Sequence, residues 1–350
     1  MATRSQARLF SQLIEKYQPE VRRAFMAAVV DLHANVNWVE LLDALSSSDI
    51  NRAVGALNIS IDAWHEYAAI KSSIYAQSGA ATATQIVQSG IAGIGIRFRF
   101  SDPGAQAWIQ KNVGDMITRI TAEQVETARD VIAAGFSRGD HPHTIARDIV
   151  GRVNPLTKKR EGGILGLDGP RAERFNKVSV GMRTPEGVRD LVIEHRDGSL
   201  SVRYKVNKAT ENRILRAYRS GEAVSPRDIK ISESQYHNAL LKDRADTIAR
   251  TETANAVLSA RAEQWDQLDR DGIVNGEEVI KTWHHRRGAV NERPDHMAMS
   301  GKTVTGISTP FVFPDGSALQ YPHDPNGAAR HVINCGCDVT YRVNHAEGLE

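Results

Sequence analysis

Apolar residues recur at helical spacing along residues 1–90. Leu9, Leu13 and Tyr17 fall on one helix face, and the spacing continues after Pro19, which suits the first turn of a second helix. The run Ser46-Ser47-Ser48-Asp49 is a helix-start signal. The pattern therefore predicts a helical region here.

The pattern changes after residue 78. The Gly- and Ala-rich run 79–95 predicts a flexible connection between two structured regions. A second pattern begins at the end of this run, where small or basic residues alternate with Ile94, Ile96, Phe98 and Phe100. This period of two predicts a short strand.

Helical spacing returns from residue 105. Thr121, with Gln124 three residues later, matches a capping box and predicts that a helix begins there. Pro142 predicts the start of another short helix, which Gly151 closes.

The middle of the chain carries the clearest hairpin signal. Residues 154–169 are basic and glycine-rich, which predicts a loop. Residues 190–206 alternate apolar and polar side chains around Asp197-Gly198, a pair suited to a two-residue type I′ turn. The spacing over residues 213–219 then predicts a helix.

The C-terminal hundred residues combine a strong helix over 243–266 with strands around 279–283 and 311–313, the latter followed by a Pro-Asp-Gly turn. The expected class is α+β, with a mostly helical N-terminal region and a small β-containing C-terminal domain. The predicted divisions are a helical arm over 1–100, helices plus a basic region with a hairpin over 101–242, and a C-terminal domain over 243–350.

Composition narrows the class of protein. With 41% apolar and 25% charged residues in 350, the chain is neither disordered nor collagen-like, and it is long enough for two or three domains. The net charge of +2 conceals an asymmetry, because residues 151–230 hold 18 Lys and Arg against 10 Asp and Glu. That region is a candidate contact for nucleic acid, or a solvated basic surface.

Two features bear on the cellular compartment. The N-terminus lacks the apolar core of a signal peptide, and the most apolar stretch, residues 91–100, is too short to span a membrane. The two cysteines, Cys335 and Cys337, form no disulfide framework. A reducing compartment without membrane contact is expected.

The same two cysteines are candidate zinc ligands, together with the upstream His296, His323 and His331. Zinc prefers tetrahedral sulfur and nitrogen ligands, but C-x-C leaves less room for chelation than C-x-x-C. The alternative is two small buried side chains that face opposite sides of a terminal strand. Both interpretations stay open at this point.

The sequence signals for other kinds of site are weaker. A calcium loop would begin at Gln267, which lacks the carboxylate that the first position needs, so calcium is rejected. No nucleophile motif is present, which predicts that the chain is not an enzyme. Arg250 and Glu252, two apart on a helix, point in different directions and are interpreted as a structural polar anchor that fixes this helix against the C-terminal sheet.

The order of four segments is more specific than any one of them. They are Asp246-Thr247-Ile248-Ala249-Arg250-Thr251-Glu252-Thr253, Arg293-Pro294-Asp295-His296, Tyr321-Pro322-His323-Asp324-Pro325 and Asn334-Cys335-Gly336-Cys337. Over about residues 243–342 this order resembles the Mu F-like head morphogenesis proteins of tailed phages. Residues 105–151 are similar to the same family less distinctly. Two positions depart from its pattern: Gly336 replaces an arginine, and His323 replaces a glycine.

The resemblance implies a structural minor head protein that assists procapsid assembly at the portal and DNA packaging or ejection. Its partners would be the portal protein, the major capsid or scaffolding protein, and phage DNA through Lys158, Lys159 and Arg160. It would lie in the capsid interior near the portal, after assembly in the host cytoplasm. His296, Cys335 and Cys337 would form the shared cluster, with zinc as its one candidate cofactor.

Two alternatives remain. An ADP-ribosyltransferase-like enzyme would use Arg250, the Ser308-Thr309 pair and Glu277 or Glu278. A stand-alone DNA-binding module rests on local charge alone.

Overall fold

A computed structural model of the chain describes residues 2–91, 95–154, 158, 160–286 and 292–343. Its α-helices are α1 Ala2–Ala34, α2 Trp38–Ser46, α3 Ile50–Ala56, α4 His65–Gln88, α5 Pro103–Ile109, α6 Asp115–Ser137, α7 Pro142–Val150, α8 Gly169–Gly181, α9 Pro185–Leu191, α10 Lys208–Ser220, α11 Pro226–Arg270, α12 Pro294–Ala298 and α13 Ala329–Val332. Its strands are β1 Arg152–Val153, β2 Arg160–Glu161, β3 Val192–Glu194, β4 Leu200–Val202, β5 Val279–His284, β6 Thr303–Thr305, β7 Phe311–Val312, β8 Ala318–Leu319 and β9 Asp338–Val343.

The α+β class is confirmed. Among the described residues we find no helix with the length and apolar character needed to cross a bilayer.

The chain folds into two compact units, each built from segments that are distant in sequence. Unit 1 comprises Met1–Phe25, Trp64–Ile117 and Asp246–Glu350, and unit 2 comprises Met26–Ala63 and Thr118–Ala245. Helices α1, α6 and α11 each contribute residues to both units. The functional division into three consecutive segments stays a prediction.

A three-stranded antiparallel sheet of order β6-β5-β9 organises unit 1. Along β5, Val279, Lys281 and Trp283 are buried on one face, as the period of a strand requires. On the neighbouring β9, Tyr341 stacks on Trp265 of α11, with ring centroids 5.4 Å apart. The strand predicted around residues 279–283 and the strong helix are therefore confirmed.

A buried ion pair joins α11 to β9. The guanidinium of Arg261 lies 2.8 Å from the Asp338 carboxylate and donates to the Val339 carbonyl, and both charged side chains are almost fully buried. At the outer edge of β9, the Gln6 side chain donates to the Tyr341 carbonyl and accepts from the Tyr341 N–H, at 2.7 and 2.9 Å. Gln6 thereby satisfies backbone groups that an edge strand would otherwise leave open.

The predicted connection over residues 79–95 is wrong for residues 79–88, which belong to α4. The small residues serve packing: a Cβ on Gly79 would lie 2.4 Å from the Phe98 ring. The strand predicted at residues 94–100 is also absent from its described part, 95–100. There the Arg99 backbone N–H and carbonyl bond the Gln267 side chain, at 2.8 and 3.0 Å, instead of a partner strand.

Two predicted helix starts are wrong. Helix α1 continues through Pro19, although an interior proline costs about 3 kcal/mol, because Tyr17 and Val21 on either side are buried in the core. Thr121 is interior to α6. Its supposed capping partner Gln124 is instead buried and accepts from the Gly166 N–H at 2.7 Å.

Other local signals are confirmed in unit 2. The Asp49 side chain caps α3, and Gly151 ends α7 with φ +72°. The hairpin of β3 and β4 forms around Asp197-Gly198, but its turn is not type I′, because only Gly198 has a positive φ. The Asp197 carboxylate instead accepts from the Ser199 N–H at 3.0 Å.

Candidate metal centre

The C-x-C segment lies between α13 and β9, and both of its thiols face one histidine. Cys335 Sγ lies 3.4 Å and Cys337 Sγ lies 3.5 Å from His296 Nδ1. The interpretation that the two side chains face opposite sides of a strand is wrong, because β9 begins only at Asp338. The backbone turns before the segment, where Asn334 has φ +55°.

The spacing of these three atoms suits a metal ion. Zinc binds thiolate sulfur at ~2.3 Å and imidazole nitrogen at ~2.0–2.1 Å, so two such donors at a tetrahedral angle lie about 3.5 Å apart. A single ring nitrogen also carries at most one proton, so it cannot make two equally good N–H···S bonds. The ligand atoms of His296, Cys335 and Cys337 all lie within 4.8 Å of one another, and all three residues are buried.

Aromatic side chains hold the His296 ring. His296 lies on α12 and is almost fully buried, with the Trp283 and Phe313 rings at 5.8 and 5.1 Å. At the helix start, Arg293 donates to the Ile333 carbonyl at 2.6 Å, which ties α12 to the segment before the cysteines.

The second ring nitrogen of His296 contacts another buried histidine. His296 Nε2 lies 3.2 Å from His331 Nδ1, and His331 Nε2 lies 3.0 Å from the Asp315 carboxylate. Bonds from the Ser317 backbone N–H and hydroxyl, from His331 and from Arg330 hold the pKa of Asp315 well below its ordinary value. In the tautomer with Nδ1 free for a metal, His296 Nε2–H donates to His331, which in turn donates to the carboxylate.

The two thiols share their charge unequally. The hydrogen bond from the Cys337 thiol, together with nearby histidines, lowers the pKa of Cys335, whereas the bond to Cys335 and burial raise the pKa of Cys337. Two adjacent thiolates repel each other, and a divalent cation bound between them would offset that repulsion.

Helix α11 positions the segment from its other side. The Thr251 hydroxyl accepts from the Asn334 N–H at 3.0 Å, and Arg250 Nε donates to the Asn334 side chain at 2.9 Å. Arg250 thus contacts the C-terminal segment directly, and Asn334 is the residue that joins the helix to the two cysteines.

His323 has φ +62° and is fully buried. Its Nε2–H donates to the Cys335 carbonyl at 2.9 Å, and its own carbonyl accepts from Asn255 of α11 at 2.8 Å. Because Nε2 bonds the backbone, His323 supports the cysteine segment, whereas His296 faces the thiols.

Glu252 turns away from the cysteines. Its carboxylate lies 2.6 Å from Lys71 Nζ of α4, and the Lys71 side chain is 3% exposed. Sequence reasoning missed Lys71, although a lysine inside a predicted helical region with an apolar face was a usable signal. Arg250 and Glu252 therefore contact two different elements of unit 1.

The three DNA-contact candidates differ in their surroundings within unit 2. Lys158 is exposed, and Lys159 lies outside the described residues. The Arg160 guanidinium lies 3.8 Å from the centre of the Trp38 ring, and burial lowers its pKa. The Arg160 side chain therefore packs on Trp38, and DNA contact stays a prediction.

No family model and no solved structure match the chain. It is similar to the Uncharacterized protein YqbB of Bacillus subtilis (strain 168), with 25% identity over 138 residues. The matched region covers 39% of this chain and 42% of YqbB, so the chain spans less than half of that relative.

Substitutions at two threonines of α11 test whether this helix stabilises the segment that carries the cysteines. Thr251 and Thr253 are both buried, but among the described residues the Thr253 hydroxyl has no hydrogen-bond partner. Thr251→Val removes the acceptor for the Asn334 N–H and should lower the free energy of unfolding by about 1–2 kcal/mol. Thr253→Val keeps shape and helix propensity and should leave stability unchanged or slightly higher. Urea unfolding of both variants checks this, and equal losses would contradict the assigned role of Thr251.

Proposed function

We propose that this chain is a structural minor head protein of a tailed bacteriophage, which acts in procapsid assembly at the portal and in DNA packaging or ejection. One observation carries the proposal: the four segments that resemble the Mu F-like family meet around one site in unit 1. The site of action would be the capsid interior near the portal.

The contacts between these segments are specific. The helix segment bonds Asn334 through Thr251, the second segment brings His296 to both thiols, and the third supports the Cys335 carbonyl through His323. Short motifs that match a family by chance have no physical reason to converge in space. Their convergence supports treating the ordered match as one module.

The use of these side chains favours a structural role over catalysis. An ADP-ribosyltransferase-like enzyme would need Arg250 to bind substrate, yet its guanidinium donates to Asn334. Glu277 lies in the short 3-10 turn Gly276–Glu278 before β5, and Glu278 accepts from the Asn275 side chain at 2.7 Å. Arg250 and Glu278 therefore bond to other residues of the chain itself, as a structural role requires.

We further propose that His296, Cys335 and Cys337 bind zinc. The chemistry of the donors supports this ion, because thiolate and imidazole together select zinc over magnesium or calcium. The ion would cross-link α12 to the segment before β9, and so stabilise the C-terminal part of unit 1. The role assigned to the metal is structural.

Association with the portal is the test of the assembly role. Deleting residues 1–100 is a poor probe, because it removes Gln6 from the edge of β9. The full chain, tagged and co-expressed with the portal protein of the same phage, should instead co-elute with the portal ring and be present in purified procapsids. The tag alone is the control. A chain that always elutes separately and is absent from procapsids would refute the assembly role.

Elemental analysis tests the metal. The purified chain should contain about one zinc per molecule, because both thiols and one imidazole already lie at ligand spacing. A Cys335→Ser/Cys337→Ser variant should contain almost none and should unfold at lower temperature. Circular dichroism shows whether the variant is folded. Wild-type protein that stays metal-free after incubation with zinc would disprove this assignment.

A further inference from the structure

We infer that unit 2 contains a nucleotide pocket, which binds a phosphate at its rim and the amino group of a base at its inner end. The inference goes beyond the assembly role and depends neither on it nor on zinc. Its basis is a cavity of about 500 Å³, within the roughly 300–1,000 Å³ typical of small-molecule sites. Residues of α7, α8, β1, β2 and the first turns of α11 form its wall.

Three cations on this wall have no ion-pair partner among the residues that the structure describes. They are Arg147 near the end of α7, and Arg227 and Lys230 at the start of α11. Arg227 and Lys230 are three positions apart, so they share one face of the helix, and both are exposed, which places them at the rim. Three uncompensated positive charges favour a phosphate ester, which carries more than one negative charge at neutral pH.

The other charged side chains of the wall are bonded to residues of the chain. Glu161 accepts from the Asn154 side chain at 3.0 Å, and Glu233 accepts from the Ser179 hydroxyl at 2.6 Å. The fourth cation, Arg152, lies 3.5 Å from the Glu233 carboxylate. These contacts leave the charge of the three rim cations uncompensated.

The position of Arg227 is unfavourable for helix stability. It lies in the first turn of a 45-residue helix, where the backbone dipole disfavours a positive charge. The acidic residue of that turn, Asp228, lies 3.3 Å from Arg213 instead. An anion at the rim would be attracted to Arg227 and also to this end of the helix. The placement therefore favours anion binding over a purely structural use of the side chain.

The inner end of the cavity offers a hydrogen-bond acceptor. Asp148 is 5% exposed, and its Oδ1 accepts from Arg183 at 2.6 Å, whereas Oδ2 is buried and has no hydrogen-bond partner among the described residues. Burial outweighs the contact with Arg183 and raises the pKa of Asp148, so the chain compensates this carboxylate only in part. A buried acceptor without a donor costs free energy, which an N–H group of a ligand would recover.

Apolar side chains provide the rest of the wall. Phe175 of α8 is almost fully buried, and Ile231 of α11 is half-buried. The cavity therefore fits a ligand that combines a multiply charged anion, an apolar ring and an N–H donor. A nucleotide with an amino-bearing base has all three. The phosphate backbone of duplex DNA has only the first, so the cavity favours a mononucleotide over a backbone contact.

Isothermal titration calorimetry of the full chain with AMP, GMP and CMP tests the inference. At least one of the three should bind saturably. The free nucleoside lacks the phosphate, and purine riboside 5′-monophosphate, IMP or UMP lacks the amino group of AMP, GMP or CMP. Each loss should weaken binding at least about tenfold, because each removes a hydrogen bond to a charged group.

Three variants assign the effect to residues. Arg227→Ala should weaken binding of the same nucleotide at least about tenfold. Arg216→Ala is the matched control, because Arg216 is an exposed arginine of α10 that does not line the cavity, and it should bind as the wild type does. Asp148→Asn should remove the preference for the amino-bearing base and keep the requirement for phosphate. Circular dichroism establishes that each variant is folded.

Three results would overturn the inference. The first is that none of the three nucleotides binds. The second is equal weakening by Arg227→Ala and Arg216→Ala, which would indicate attraction to overall charge alone. The third is binding of a duplex oligonucleotide that requires Arg227 and is not displaced by mononucleotides, which would assign these cations to a DNA-backbone contact. An analogue without the amino group that binds as tightly as its parent would refute the role of Asp148.

Discussion

The arrangement of unit 1 depends on the buried ion pair between Arg261 of α11 and Asp338 of β9. Arg261 is 1% exposed, and its guanidinium donates to the Asp338 carboxylate and to the Val339 and Gln6 carbonyls, which offset the cost of burying its charge. Further along the same helix, Thr251 bonds the Asn334 N–H. These bonds set where the chain approaches and leaves the two cysteines, so the helix determines the position of the thiols before any metal is considered.

The cysteine and histidine cluster completes this framework from the opposite side. A metal ion bound by this cluster would add a cross-link between α12 and the segment before β9. The hydrogen bonds from α11 and the thiol–imidazole contacts hold the same short segment, residues 334–337. Loss of either set should therefore weaken the other. This coupling explains why motif residues spread along the chain meet at one place.

Sequence patterns predicted the elements whose signals are local: the long helix, the strand with Trp283, the hairpin at residues 190–206 and the cysteine pair. The patterns failed where a residue that is distant in sequence determines the local structure. The sequence predicts a linker at Gly79, but in the fold Phe98 packs on this residue. It predicts a helix cap at Gln124, but the side chain bonds Gly166. The approach of both thiols to His296 also depends on a backbone turn at Asn334, which spacing alone cannot reveal. Assembly of unit 1 from three separate segments lay beyond local reasoning for the same reason.

The central proposal is that His296, Cys335 and Cys337 bind zinc through nitrogen and sulfur. X-ray absorption at the zinc edge of the purified full chain tests it most directly, because the method counts sulfur and nitrogen neighbours. We expect two sulfur atoms at about 2.3 Å and at least one nitrogen atom at about 2.0–2.1 Å. A shell of oxygen and nitrogen without sulfur would contradict it.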